Sequence, residues 1–282
     1  MTPATRARPV GAPLAVALIA ALTAALGACA ALHADAAASQ VRPGGGEPSG
    51  AFAALPGRRL WYVDTGGPGA AVGWGRSEID PGANPGSAAD DLQGLLTVLR
   101  VDRAHLVGTA AGAIVAIDYT LSFPERVRSL VVANSIGGVQ DEDYLALSRR
   151  LRPAPQFDAL PVDVRELGPS FRAADADGTA RWLDLARRSR PVAAPSAALA
   201  PPQAAPQPPR NHITFARLAT MRVPTLLITG GADLYAPPPV LRLFAARIAG
   251  ADTLIVPEAG HSAYWEQPDA FNQAVLRFLA RY

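Results

Sequence analysis

Ala104-His105-Leu106-Val107-Gly108-Thr109-Ala110-Ala111-Gly112 opens the stretch that decides the fold. Ala104 to Val107 reads as a short buried strand. Gly112 to Phe123 is an apolar helix that Pro124 ends. Between them only Gly108 to Gly112 remains to turn the chain. The turn is so sharp that side chains at its flanks would collide, so glycine stands at both ends. Working outward, Leu130-Val131-Val132-Ala133 is a further strand, as are Thr225 to Thr229 and Thr253 to Val256. Helical spacing runs through Ser87 to Leu99 (Leu92, Leu95, Leu96, Leu99), Val240 to Ile248 and Ala270 to Leu279. Asp90 and Asp91 lie near the start of the first of these, where the helix dipole favours acids. Upstream, Arg59-Leu60-Trp61-Tyr62-Val63 is a strand that stops at Gly66-Gly67-Pro68-Gly69. Strand and helix in alternation predict an α/β fold, a mostly parallel sheet covered by helices on both faces.

About 90 residues without clear strands separate the strand at 130–133 from that at 225–229. Asp141 to Arg152 and Thr179 to Arg188 read as helices, and Pro191 to Pro209 is dominated by alanine and proline. This predicts a helical cap at about 137–212 inserted over the sheet.

The 282 residues suffice for one domain with a full core, and 49% are apolar, so the chain is globular. Arginine supplies all the positive charge and the net charge is only +2. No basic run of the kind that grips phosphate backbones is present, so nucleic acid is not an expected partner. The four histidines lack ligand spacing, and no metal or other cofactor is expected.

The N-terminus predicts export. Arg6 and Arg8 precede an apolar stretch, Leu14 to Leu26, of the length of a signal segment. Leu26-Gly27-Ala28-Cys29 resembles a bacterial lipobox, which makes Cys29, the sole cysteine, a candidate lipidation site. Acyl chains on it would hold the protein on an extracytoplasmic membrane face. Soluble export after Ala34 to Ala36 and a retained N-terminal anchor are the alternatives. The expected organisation is a signal and lipobox segment at 1–29, a flexible Gly/Pro-rich tether at 30–57 and the folded domain at 58–282.

The chemistry lies in the order of three places. Gly108-Thr109-Ala110-Ala111-Gly112 has the form of the Gly-x-Ser-x-Gly nucleophile turn, with Ala110 at the nucleophile position. Asp233 follows a strand in Gly230-Gly231-Ala232-Asp233, and His261 follows another in Pro257-Glu258-Ala259-Gly260-His261. Loops after two adjacent strands would bring the carboxylate to the imidazole, fixing its tautomer and stabilising its protonated form. Taken singly, Asp233 also reads as a turn aspartate and His261 as a structural histidine. His105 reads as structural, and Trp74, Tyr264 and Trp265 as packing residues.

From Leu92 to Leu279 the chain resembles the capped α/β-hydrolases that include enol-lactone, haloperoxidase-like and meta-cleavage-product hydrolases. The resemblance is carried by His105-Leu106-Val107-Gly108 with its turn, Ser122-Phe123-Pro124-Glu125-Arg126-Val127, and Leu130-Val131-Val132-Ala133-Asn134. Val223 to Gly230 with Asp233, and Gly260-His261 with Glu266-Gln267-Pro268, complete it. It implies Asp233 as acid, His261 as base, the Ala111 backbone N–H as an oxyanion donor, and hydrolysis of a small ester, lactone or related carbonyl compound.

Two departures qualify that reading. A methyl group at Ala110 cannot attack a carbonyl. Also, the family's strand, His-Gly loop, helix and second strand, roughly 30–40 residues, are missing before a Gly73-Trp74-Gly75-Arg76-Ser77 loop. The His-Gly loop would supply the other oxyanion N–H, and the missing strands would fill the centre of the sheet. Three functions follow: base chemistry on a small-molecule substrate by His261 and Asp233, ligand binding by a pseudoenzyme, or a decayed hydrolase that does not fold.

Overall fold

The computed structural model describes residues 16–21, 51–64, 68–70, 77–79, 86–189 and 208–282. Cys29, Trp74 and most of the alanine/proline-rich stretch lie outside them.

The elements run β1 (Val16–Ala21), β2 (Ala51–Leu55), β3 (Arg58–Asp64), β4 (Pro68–Ala70), β5 (Glu78–Ile79) and α1 (Ala88–Val98). Then come β6 (Ala104–Ala110), α2 (Ala111–Ser122), β7 (Val127–Ala133), α3 (Glu142–Leu151), α4 (Val162–Glu166), α5 (Pro169–Ala174) and α6 (Ala176–Ser189). The chain closes with α7 (Phe215–Leu218), β8 (Thr225–Gly230), α8 (Pro238–Ala245), β9 (Asp252–Val256), α9 (Ala263–Glu266) and α10 (Pro268–Leu279). The described strands form one sheet in the order β2-β3-β4-β1-β6-β7-β8-β9, with β5 beside β3.

Strands β6 to β9 pair in parallel. Alternation along each sends successive side chains to opposite faces. Leu106, Leu130, Val132 and Leu227 join one core with Leu92 and Leu96 of α1, Ile117 of α2 and Phe244 of α8. Val107, Val131, Leu226 and Ile228 join another with Phe271, Val275 and Phe278 of α10. Burial on both faces explains why the centres of β6, β7 and β8 read as short apolar runs. Ser87 caps α1, its side chain accepting from the Asp90 N–H at 3.1 Å. Asp91, one turn in, is buried and ion-paired with Arg58 at 2.6 Å.

The N-terminal half differs from expectation in two places. Ala51–Leu55, within the stretch predicted as a tether, pairs antiparallel with β3 across the turn at Gly57, whose φ is +72°. Gly57 fits that turn because it has no Cβ, and Ala53 anchors the strand in a small core with Leu60 and Leu95. The second is β1. Val16–Ala21 belongs to the apolar stretch read as a signal segment, yet it pairs in parallel with β6, Val16 opposite His105 through Ala21 opposite Ala110, and with β4 on its other side. It thus stands where the resemblance implies a missing central strand. Apolar, β-branched-containing sequence suits a central strand and a signal segment alike, which is why the sequence did not separate them. Among the described residues no helix is long and apolar enough to cross a membrane.

Helices α3 to α6 lie between β7 and β8 in the chain, within the stretch 137–212. Leu167, Trp182 and Ala186 give them a core of their own, against which Trp265 packs. Short helices α4 and α5 were not legible, being one or two turns long and without apolar periodicity.

Candidate active site

The turn between β6 and α2 is built as its glycines imply. A Cβ on Gly108 would lie 2.6 Å from Ala113 Cα. Ala110 sits at φ +49° and ψ −122°, a conformation that non-glycine residues avoid. Its carbonyl accepts a hydrogen bond of 2.7 Å from the Ser135 hydroxyl, which fixes the strained peptide. Ala111 is the first residue of α2, so its N–H has no acceptor within the helix and is available at the positive end of the helix dipole.

Asp233 and His261 meet as predicted, Nδ1 of the imidazole lying 3.0 and 3.1 Å from the two carboxylate oxygens. Asp233 is buried and held from several sides. The Tyr235 and Ala236 N–H groups donate to Oδ1 at 2.8 and 3.0 Å. The Asn134 amide donates to Oδ2 at 3.1 Å and to the Gly260 carbonyl at 3.3 Å. The Thr229 hydroxyl donates to the Ala236 carbonyl at 2.6 Å and stands 3.3 Å from Oδ2. Burial alone would raise the Asp233 pKa; the His261 charge and these donors outweigh it and hold the carboxyl below its ordinary value. Burial pulls the His261 imidazole the other way, and the attraction of Asp233 and its hydrogen bond, reinforced by Glu166, raise it above its ordinary value. With Nδ1 engaged, Nε2 is the nitrogen that takes up a proton.

The cap brings residues that sequence reasoning did not place here. Glu166 is buried. Its pKa is raised by burial and by Asp233, against the opposing pull of His261 and of a hydrogen bond with the Tyr235 hydroxyl. Tyr235 lies over His261 with ring centroids 4.4 Å apart. Glu266 clamps cap to core, accepting from the Gly168 N–H and the Gly260 N–H, each at 2.9 Å. Burial pushes its carboxyl up to about 7, although both N–H bonds act downward. The Ser262 N–H adds a bond to the Glu166 carbonyl at 2.9 Å. Glu266 and Asn134 stood in quoted motifs, so their presence was visible although their roles were not. Glu166 gave no signal, because its cap helix has no readable period.

The remaining candidates fall outside the chemistry. His105 is buried, with Nδ1 2.8 Å from the Ser129 hydroxyl and Nε2 without a partner. Tyr264 packs against Phe271 and Trp265 against the cap. No metal-holding cluster occurs among the described residues.

A parallel sheet with a helical cap, a strained strand-to-helix turn, and an acid and base in the order turn, Asp233, His261 define a hydrolase-type scaffold. A sequence profile of the Alpha/beta hydrolase family matches residues 43–274. The chain belongs to that family. It is 31% identical to a 2-hydroxy-6-oxononadienedioate/2-hydroxy-6-oxononatrienedioate hydrolase of Klebsiella pneumoniae subsp. pneumoniae, the match covering 74% of each protein. Among solved structures it is similar to a hydrolase from Pseudomonas aeruginosa, at 25% identity and TM-score 0.58, over 82% of this chain and 98% of that one. An esterase from Thermogutta terrifontis matches at 25% identity and TM-score 0.55, over 74% and 77% of the two chains.

Proposed function

We propose that this protein hydrolyses a small carbonyl compound, an ester, a lactone or a 2-hydroxy-6-oxo dienoic acid, with water rather than a side chain as the nucleophile. The observation that carries the reading is the intact Asp233–His261 pair, with its carboxylate fully supplied with donors. His261 Nε2 takes a proton from a water seated over the Ala110 methyl group. The hydroxide so formed attacks the carbonyl carbon, and the carbonyl oxygen becomes an oxyanion facing the Ala111 N–H. Collapse breaks the bond to the leaving group, which receives the proton from His261. Asp233 keeps the Nδ1 proton in place and stabilises the imidazolium throughout.

Ala110 favours a second reading, a pseudoenzyme that binds the same class of ligand without turnover. One experiment separates the two. The full chain is assayed against p-nitrophenyl esters, lactones and 2-hydroxy-6-oxo dienoic acids, with thermal melts in their presence. Turnover that disappears in His261→Ala supports the enzyme. Stabilisation without turnover supports the binding protein.

The N-terminal sequence supports export with lipidation at Cys29, but β1 and a cleaved signal draw on the same residues. The mass of the N-terminal peptide from fractionated cells tests this.

A further inference from the structure

A cavity of about 450 Å³ lies at the N-terminal ends of β6, β7 and β8, and Arg103, Arg128 and Arg222 all line it. Asp233 and His261 follow the opposite, C-terminal ends of β8 and β9. The seven residues of β6 alone put roughly 20 Å between the two ends of the sheet. This is therefore not part of the site described above.

The charge in this cavity is unbalanced. No aspartate or glutamate is among its lining residues. Arg103 donates to the Val127 carbonyl at 3.3 Å, and Arg222 to the Ala219 and Met221 carbonyls at 3.0 Å each, so backbone oxygens orient these guanidinium groups without neutralising them. Arg128 forms no ion pair with any described residue, and its Nε is buried without an acceptor. Asp102 and Glu125, the acids nearest in sequence, are exposed and outside the lining. Behind the cavity, burial first and then the charges of Arg128 and Arg103 hold the His105 imidazole below its ordinary pKa, which disfavours a further positive charge there. Three guanidinium groups facing one concave space repel one another, and their planar forks match the oxygens of phosphate or carboxylate.

We propose that this cavity binds a small multivalent oxyanion, a metabolite bearing phosphate or several carboxylates. Arg128 would be its half-buried anchor, with Arg103 and Arg222 closing on it from the rim. Isothermal titration calorimetry on the full chain, at constant ionic strength, tests this with pyrophosphate in one arm and citrate in the other. Saturable binding is expected, about tenfold weaker or more in Arg128→Gln and in the exposed-site variant Arg222→Gln. Arg281→Gln, a charge change elsewhere on the surface, should leave it unchanged. Tighter binding of pyrophosphate identifies a phosphate ligand, and tighter binding of citrate a polycarboxylate. No saturable heat in either arm overturns the proposal. So does equal affinity in wild type and in an Arg222→Gln protein whose melt is unaltered, or an equal loss in Arg281→Gln.

Discussion

Asp233 receives two backbone N–H groups and an asparagine amide before it meets His261, whereas Ala110 brings only a methyl group to the same site. The sheet beneath them divides along the same line. On the side of the acid and base, β7, β8 and β9 are five to seven residues long and pair in continuous parallel register. On the far side of the nucleophile turn stand a strand of three residues, β4, and an N-terminal segment, β1, that completes the ladder of β6. The difference shows what a local motif needs in order to survive. The acid–base pair is supported by hydrogen bonds from the loop of Asp233 and from Asn134 at the end of β7. The turn at Ala110 depends on the strand beside it, which comes from a segment distant in the chain.

The largest expected effect comes from removing β1. The full chain should melt in a single cooperative transition, and a chain beginning at Cys29 should not, because β6 is left with an open edge. An identical melt for the two chains would show that β1 is dispensable to the fold. Next comes the well-furnished end. Asp233→Ala should cost about 3–5 kcal/mol, since it strands a buried imidazole and several donors. Urea unfolding measures this, and a loss below about 1 kcal/mol would mean that the pair behaves as if exposed.

The pair should also show itself in pH. His261 is raised above the ordinary 6.5 by Asp233. Its contribution to stability is therefore fully present below that value and is lost as pH rises through the folded-state pKa. The gap in Tm between wild type and His261→Gln should narrow across that window. Any turnover should rise over the same range, because only the neutral imidazole accepts a proton. A turnover that falls there would contradict the base role.

The smallest effects belong to the nucleophile end. Ala110→Gly should raise stability by about 1 kcal/mol in urea unfolding, because glycine tolerates φ +49°. An unchanged or lower stability would mean that the turn is relaxed. Ala110→Ser should give little p-nitrophenyl ester hydrolysis if, as the resemblance implies, the His-Gly loop that carries the second oxyanion donor is missing. Robust hydrolysis would show instead that Ala111 and its helix suffice.

Much of this was legible from local sequence. The turn at Gly108 to Gly112, the strands at 130–133 and 225–229, and the meeting of Asp233 with His261 follow from short-range spacing and chain order. The cap helices α4 and α5 were not legible, nor was the carboxylate of Glu166 beside His261, because a helix of five residues leaves no periodic trace. Glu266 could be read as part of a motif, but its bridge between Gly168 and Gly260 joins residues 98 and six positions away.

Residue type and neighbouring spacing were enough to establish the strand-to-helix turn, the alanine at its centre and the chain order of Ala110, Asp233 and His261. Packing in three dimensions was needed to show that Val16–Ala21 lies against β6, that Ala51–Leu55 is a strand, and that three arginines distant in the chain share one cavity. An apolar run carries no mark of its partner. Which edge it covers, or whether it covers one, is fixed by the unsatisfied backbone groups that the rest of the fold presents to it.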